Sequence, residues 1–306
     1  MACFLVTLNS ESTLGSTSER GSTTALHLIH WIGVRIGRWA GRFLLYPITL
    51  YYLLLAKPQR QASQLYLCRV LQREPHWLDT FRHIHCYAAT ILDRVYLLAG
   101  QFERFDIRVH RGQVILDQVQ SGQGCILLGA HLGSFEVMRV LGVTLRQFPL
   151  KILMNVTHNQ RMTQFMDALN PELAATIIPI DGPDTLLGVK DHLDQGYLIG
   201  ALGDRILHDE KAVHCRFFGA DARFPSGPLL LAALAGCPVI IFFGLYRGGN
   251  RYDIYFERLA DVITLDRVHR QQQLQHWAQR YADRLEHYTR SAPYNWFNFY
   301  DFWEET

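Results

Sequence analysis

The chain has 306 residues, 49% of them apolar and 19% charged, and its basic and acidic side chains nearly cancel to a net charge of +2. That length suits one large domain or two ordinary ones with a sizeable core, and the charge balance gives no reason to expect a nucleic-acid partner. Six scattered cysteines without a CxxC pair exclude both a zinc site by spacing and a disulfide framework. Reduced thiols in a cytosolic compartment are the simplest reading.

Residues 1–26 are rich in Ser, Thr and Glu and read as a disordered leader. Their eight-residue apolar start lacks the preceding positive charge of a signal peptide. Residues 27–58 read as an amphipathic anchor helix. Arg35, Arg38 and Arg42 share one helical face, and the uncharged run 43–56 closes at Lys57 and Arg60. Fourteen uncharged residues are too few to span a bilayer, which needs about 20, so the helix is expected to lie in the lipid interface. The alternative is a core helix packed on the rest of the chain with solvated arginines.

Residues 59–306 read as an α/β domain with a helical neck. Helical spacing covers 59–100, with Gly100 as a C-cap. Strands are then predicted at "RFDIRVH", "GCILLGA", "LKILMNV", "ATIIPI", "YLIGALG", "CPVIIFFGLYR" and "RYDIYFERL", separated by helices. A polar connection follows Asp204-Arg205, and a long helix is predicted over roughly 265–290. The alternation predicts a mixed, largely parallel central sheet flanked by helices. The last two strands, joined through "GGN", read as an antiparallel hairpin.

Within "CILLGAHLGSFEVMR", His131 stands at a strand end and Glu136 in the first turn of the next helix. Ligand sites in open α/β sheets lie beyond such carboxyl ends. A carboxylate on one imidazole nitrogen would make the other a base. A histidine satisfied by backbone, with Glu136 favouring the helix dipole, has the same spacing. Asp204 and Arg205 end another strand and can approach His131, as a phosphate clamp or as a structural ion pair. Arg223, before "FPSGP", is a candidate for a donor phosphate or a solvated loop arginine. His83 and His85 point apart on a helix and do not suggest a metal site, and the aromatic tail reads as packing or as the wall of an acyl tunnel.

"LLGAHLGSFE" resembles the His-x4-Asp/Glu (HX4E) box of the lysophospholipid acyltransferase superfamily, and the chain is similar to its lipid A late acyltransferase (lauroyl and myristoyl transferase) branch over about residues 30 to 303. "LIGALGDR", "FFGADARFPSGPLLLAALAGCPVIIFFGLYR" and "APYNWFNFYDFW" carry the resemblance in order. "GLYRGGNRYD" and "PYNWFNFYDFW" look like an aryl polyene-cluster subgroup. Ala130 stands where many members have Asn, and Asn155 where lipid A enzymes often have Arg.

The resemblance implies a membrane-associated acyltransferase at the cytoplasmic face of the bacterial inner membrane. It would move a fatty acyl group from acyl carrier protein (ACP) or coenzyme A to a hydroxyl or amine of a lipid or glycolipid. His131 would be the general base, Glu136 its orienting carboxylate, and the backbone N–H groups near Gly133 and Ser134 the oxyanion donors. No acyl-enzyme, metal or cofactor beyond the thioester co-substrate is implied. A membrane-associated hydrolase and a non-catalytic lipid-binding protein are the competing classes.

Overall fold

The structure, a computed structural model, describes residues 37–143, 148–154, 171–180, 184–206 and 211–303. The leader, Arg35 and the helix expected around 160–170 lie outside the described residues.

Three helices come first: α1 (Arg38–Leu55), α2 (Lys57–Leu71) and α3 (Trp77–Leu98). Gly100, at φ +74°, follows α3 as a left-handed stop. The α/β alternation then runs β1 (Asp106–His110), α4 (Gln113–Gln120), β2 (Cys125–Gly129), α5 (Phe135–Val143), β3 (Leu150–Met154), α6 (Pro171–Ala174), β4 (Ile177–Pro179), α7 (Asp184–Asp194) and β5 (Leu198–Leu202). It closes with β6 (Ala212–Phe217), β7 (Ala220–Pro225), α8 (Gly227–Ala235), β8 (Val239–Tyr246), β9 (Arg251–Ala260) and α9 (Arg270–Ser291).

Seven strands form one sheet in the order β1-β9-β8-β2-β5-β3-β4. Neighbouring strands from β8 to β4 are parallel, whereas β8 and β9 pair antiparallel across the Gly248-Gly249 turn. Side chains alternate across the central strands. Ile126 and Leu128 of β2 enter a core shared with α2, α7, α8 and α9, while Cys125 and Leu127 enter one shared with α3, α4 and α5. Burial on both faces explains why these strands read as unbroken apolar runs.

The polar connection expected after Arg205 contains a second, two-stranded sheet, β6–β7. Its turn residues Phe218 and Gly219 both have positive φ, 49° and 78°, the geometry of a tight two-residue hairpin. The strand signal was there as strict alternation: Val213, Cys215 and Phe217 are buried and His214 and Arg216 exposed. Polar outward residues had masked it.

Helix α1 packs on α3, where Gly41 lets Leu92 approach within 3.2 Å of the position a Cβ would take. The expected basic outer face is corrected at Arg38 and Arg42, which turn inward. Both guanidinium groups bond the fully buried Asp93 of α3, which also accepts a 2.8 Å hydrogen bond from the Tyr252 hydroxyl. Burying that carboxylate is only tolerable with such partners, and the interior supplies them through α1. The face left outward is apolar: Trp39 and Phe43 are 76% and 72% exposed, with Tyr46, Leu50 and Leu54 following at helical spacing. At Ala56 the chain turns by 95° into α2. Among the described residues no single helix is long and apolar enough to cross a membrane.

Candidate active site

The register of β2 and β5 creates the site. Gly129 pairs with Leu202, and the Gly203 N–H donates to the Gly129 carbonyl at 2.9 Å, so the pairing runs past both strand ends. Two residues beyond each end, His131 and Asp204 meet. His131 Nδ1 lies 2.9 Å from Asp204 Oδ1, and the His131 backbone N–H donates to Oδ2 at 3.0 Å. A carboxylate only accepts, so Nδ1 carries the proton and Nε2 presents a lone pair. The histidine side chain is 32% exposed and the aspartate 1%. Burial opposes ionisation of Asp204, but the adjacent His131, its hydrogen bond, the Arg205 charge and the Trp296 donor together hold its carboxyl below the ordinary range.

Glu136, the orienting carboxylate expected from the spacing, faces elsewhere. Its oxygens meet Arg139 at 3.4 Å and Arg94 at 3.7 Å, and Arg139 is itself 1% exposed. Five residues on, α5 has already turned this side chain towards α3. Its burial holds an ion pair between two helices, where the sequence suggested a relay.

Gly133 and Ser134 do not offer their N–H groups to an oxyanion. The Gly133 N–H donates to the Asn295 carbonyl and the Ser134 N–H to the Gly244 carbonyl, both at 2.8 Å. Gly133 sits at φ +74°, and a Cβ there would come within 2.0 Å of the Gly244 oxygen. We expect Gly133→Ala to prevent normal folding or cost several kcal/mol, because the clash is with backbone and the φ is left-handed. Chemical denaturation of the purified variant checks this; a change under about 0.5 kcal/mol would contradict it.

Arg205 donates to the Phe297 carbonyl at 2.7 Å and lies over the Tyr300 ring at 5.9 Å. Arg223 stands in β7 opposite His214, in the second sheet. Arg247 stands just before the Gly248-Gly249 turn between β8 and β9 and bonds Asp253 at 2.9 Å.

The tail after α9 reads from the sequence as packing or a tunnel wall, but its contact with His131 and Asp204 does not follow from that reading. It lies across the site: Phe297 N–H donates to the His131 carbonyl at 2.9 Å, and Leu132 bridges Trp296. The Trp296 indole N–H donates to Asp204 Oδ2 at 2.9 Å. Trp296, Phe297 and Phe299 are buried packing residues. For the approach of Asp204 to His131 the signal was the parallel between "GAH" after one central strand and "LGD" after its neighbour.

Behind Trp296, its backbone carbonyl accepts from Nε2 of the fully buried His83 at 2.8 Å, and His83 Nδ1 lies 2.8 Å from the Ser63 hydroxyl. The carbonyl fixes the proton on Nε2, so Nδ1 accepts from Ser63. Burial pushes the His83 pKa down to about 4, against a smaller opposing contribution from the Trp296 carbonyl. Between about pH 6.5 and 4 the unfolded chain therefore binds the extra proton. Stability from this group is whole above that window and falls through it by up to roughly 3 kcal/mol. Denaturation at pH 7 and 4.5 should show the loss, and His83→Gln should shrink it; an equal loss in the variant would refute the assignment.

His85 belongs to a different environment, 4.8 Å from the Tyr46 ring. No group of three or more metal-ligating side chains occurs among the described residues.

Residues 90–305 match a family model described as bacterial lipid A biosynthesis acyltransferase. No curated protein matches the chain.

Proposed function

Because the chain belongs to the bacterial lipid A biosynthesis acyltransferase family, and so is an acyltransferase acting between an acyl thioester and a lipid, we propose that His131 and Asp204 carry out its chemistry. The observation that carries this is the 2.9 Å contact between His131 Nδ1 and Asp204 Oδ1 at the ends of two parallel strands. The acceptor hydroxyl gives its proton to His131 Nε2 as its oxygen attacks the thioester carbonyl carbon. The tetrahedral intermediate collapses, the C–S bond breaks, and the departing sulfur takes the proton back from the imidazolium. An ester and a free thiol result. Asp204 holds the tautomer and stabilises the transient imidazolium.

Ser134, three residues from His131, is 3% exposed, which favours direct attack over an acyl-enzyme. The buried thiols are equally unsuited: Cys237 is held up at about 11 by desolvation. The donor is acyl-ACP or acyl-coenzyme A, and the acceptor a hydroxyl on a glycolipid of the inner membrane, of the lipid A or aryl polyene type.

The exposed face of α1 supports association with the cytoplasmic membrane surface. An apolar stripe with three exposed aromatic rings, Trp39, Phe43 and Tyr46, suits the lipid interface, and a bend of 95° lets α1 and α2 lie on it without spanning. Substituting Phe43 and Leu54 together by glutamate should move the protein from the floating vesicle fraction to the unbound fraction at the bottom of the gradient in a flotation assay. Both side chains are well exposed, so the fold should persist. Unchanged partitioning would rule this face out as the anchor.

The reaction is tested by incubating the full chain with lauroyl-ACP or lauroyl-coenzyme A, with and without a bacterial lipid extract, and measuring thiol release and lipid mass. Acceptor-dependent release with a mass gain of one acyl group is expected. Equal release without acceptor would favour the hydrolase and overturn the proposal.

A further inference from the structure

The tail bearing Trp296 is bonded on one side to the site and on the other to the N-terminal helices. Tyr66 of α2 donates to the Pro293 carbonyl at 2.6 Å, and Tyr294 donates to Asp79 of α3 at 2.7 Å. His83 of α3 holds the Trp296 carbonyl, and Ser63 of α2 holds His83. Four residues of the helical layer thus set the path of the tail just where its indole reaches Asp204. Trp296 is 1% exposed, wedged edge-on against Tyr66, Phe217 and Phe302 at centroid distances of 5.1, 5.2 and 4.9 Å. A ring so confined cannot swing its N–H away without opening the core.

We infer that Trp296 is a positioning residue for the reaction, fixing the Asp204 carboxylate through its indole N–H, and that His83 and Ser63 act through it as a strut from the helical layer. The inference rests on His131 and Asp204 being the reacting pair. Asp204 Oδ2 receives two donors, the Trp296 indole and the His131 backbone N–H, while Oδ1 is left to the imidazole. The carboxylate is therefore pinned in its plane, and its charge towards His131 is tempered by what Oδ2 gives to the indole. The other groups facing Asp204 are Arg205 beside it in sequence and the Tyr281 hydroxyl of α9, which itself donates to the Gly129 carbonyl at 2.7 Å. His83 is surrounded by uncharged partners: the Tyr66 ring at 5.2 Å, the Phe299 ring at 4.6 Å and Ser63.

Trp296→Phe keeps most of the ring and removes the N–H. Expected is a fall in kcat of roughly 10- to 100-fold, the worth of one hydrogen bond to a charged group, with KM nearly unchanged. With one donor fewer, Asp204 holds a protonated His131 more strongly, so the acid limb of the rate profile should move to higher pH. The reactivity of His131 towards diethyl pyrocarbonate, followed by peptide mass spectrometry across pH, should move the same way without any acyl substrate. Trp303→Phe is the comparison. It loses an indole N–H from the same aromatic cluster, but that group donates to the Phe217 carbonyl at 3.2 Å. It should lower stability and leave the pH behaviour of His131 in place. If Trp296→Phe does not fold, the strut supplies the answer: His83→Ala should weaken turnover, and His83→Gln, which retains an N–H at the reach of Nε2, should restore most of it.

Identical pH behaviour in the two tryptophan variants, or failure of Gln to rescue position 83, would overturn the inference. Undiminished transfer by His131→Ala would instead overturn the reading of the site itself, so the two failures are distinguishable.

Discussion

Replacing Asp204 by asparagine is expected to lower kcat by about 10²- to 10⁴-fold, the range of general-base catalysis, with little change in KM. The amide oxygen can take over Oδ2, where two N–H groups point at it, which leaves the NH₂ facing His131 Nδ1. A donor there forces the imidazole proton onto Nε2, and the base is lost although the shape is kept. His131→Ala should be at least as severe. Glu136→Gln makes the contrast. Glu136 is the counter-charge to Arg139, which is 1% exposed, and to Arg94, so its loss should appear as roughly 3–5 kcal/mol of stability. Steady-state kinetics beside denaturation of the three variants decides the matter. If Asp204→Asn turns over normally while Glu136→Gln is stable and dead, the relay read from spacing is the correct one.

Asp93→Ala should destabilise the chain by roughly 3–5 kcal/mol, because it strands charge at a closed interface. Arg38 and Arg42, each with a side chain only 16% exposed, converge on this carboxylate from α1. They also bond the Gly249 carbonyl at the β8–β9 turn. Without the aspartate, two guanidinium groups and the Tyr252 hydroxyl lose their common acceptor. Helix α1 should loosen from α3 first, so limited proteolysis of the variant should cut near Ala56 before the sheet unfolds. Denaturation by urea in the same detergent for wild type and variant measures the cost. A loss below 1 kcal/mol would mean that packing around Gly41 and Leu92 holds α1 without the ion pairs.

The legible part of this fold is the part governed by local pattern. Apolar runs such as "GCILLGA" and "CPVIIFFGLYR" are strands buried on both faces, and their β-branched and aromatic residues set them apart from an apolar helix of similar length such as α8. The β6–β7 hairpin escaped because only its inward residues are apolar, so its composition resembles that of a loop. The arginines of α1 were misassigned for a different reason: helical periodicity says which residues share a face but not what the face meets.

The same division holds at the site. From the sequence alone follow the α/β order, the place of His131 at the end of a central strand, and the presence of acidic residues able to serve it, because strand ends and helix starts are local features. Which carboxylate touches His131 was decided in three dimensions. Glu136 is five residues away along the chain, yet the start of α5 carries it off to Arg139 and Arg94. Asp204 is 73 residues away, and parallel pairing of β2 with β5 sets it at 2.9 Å. Trp296, farther still, reaches the same carboxylate because the tail returns over α3. Strand register and the return of a chain terminus are long-range facts, settled by burial of the sheet and the closure of its hydrogen bonds, and no spacing within a motif contains them.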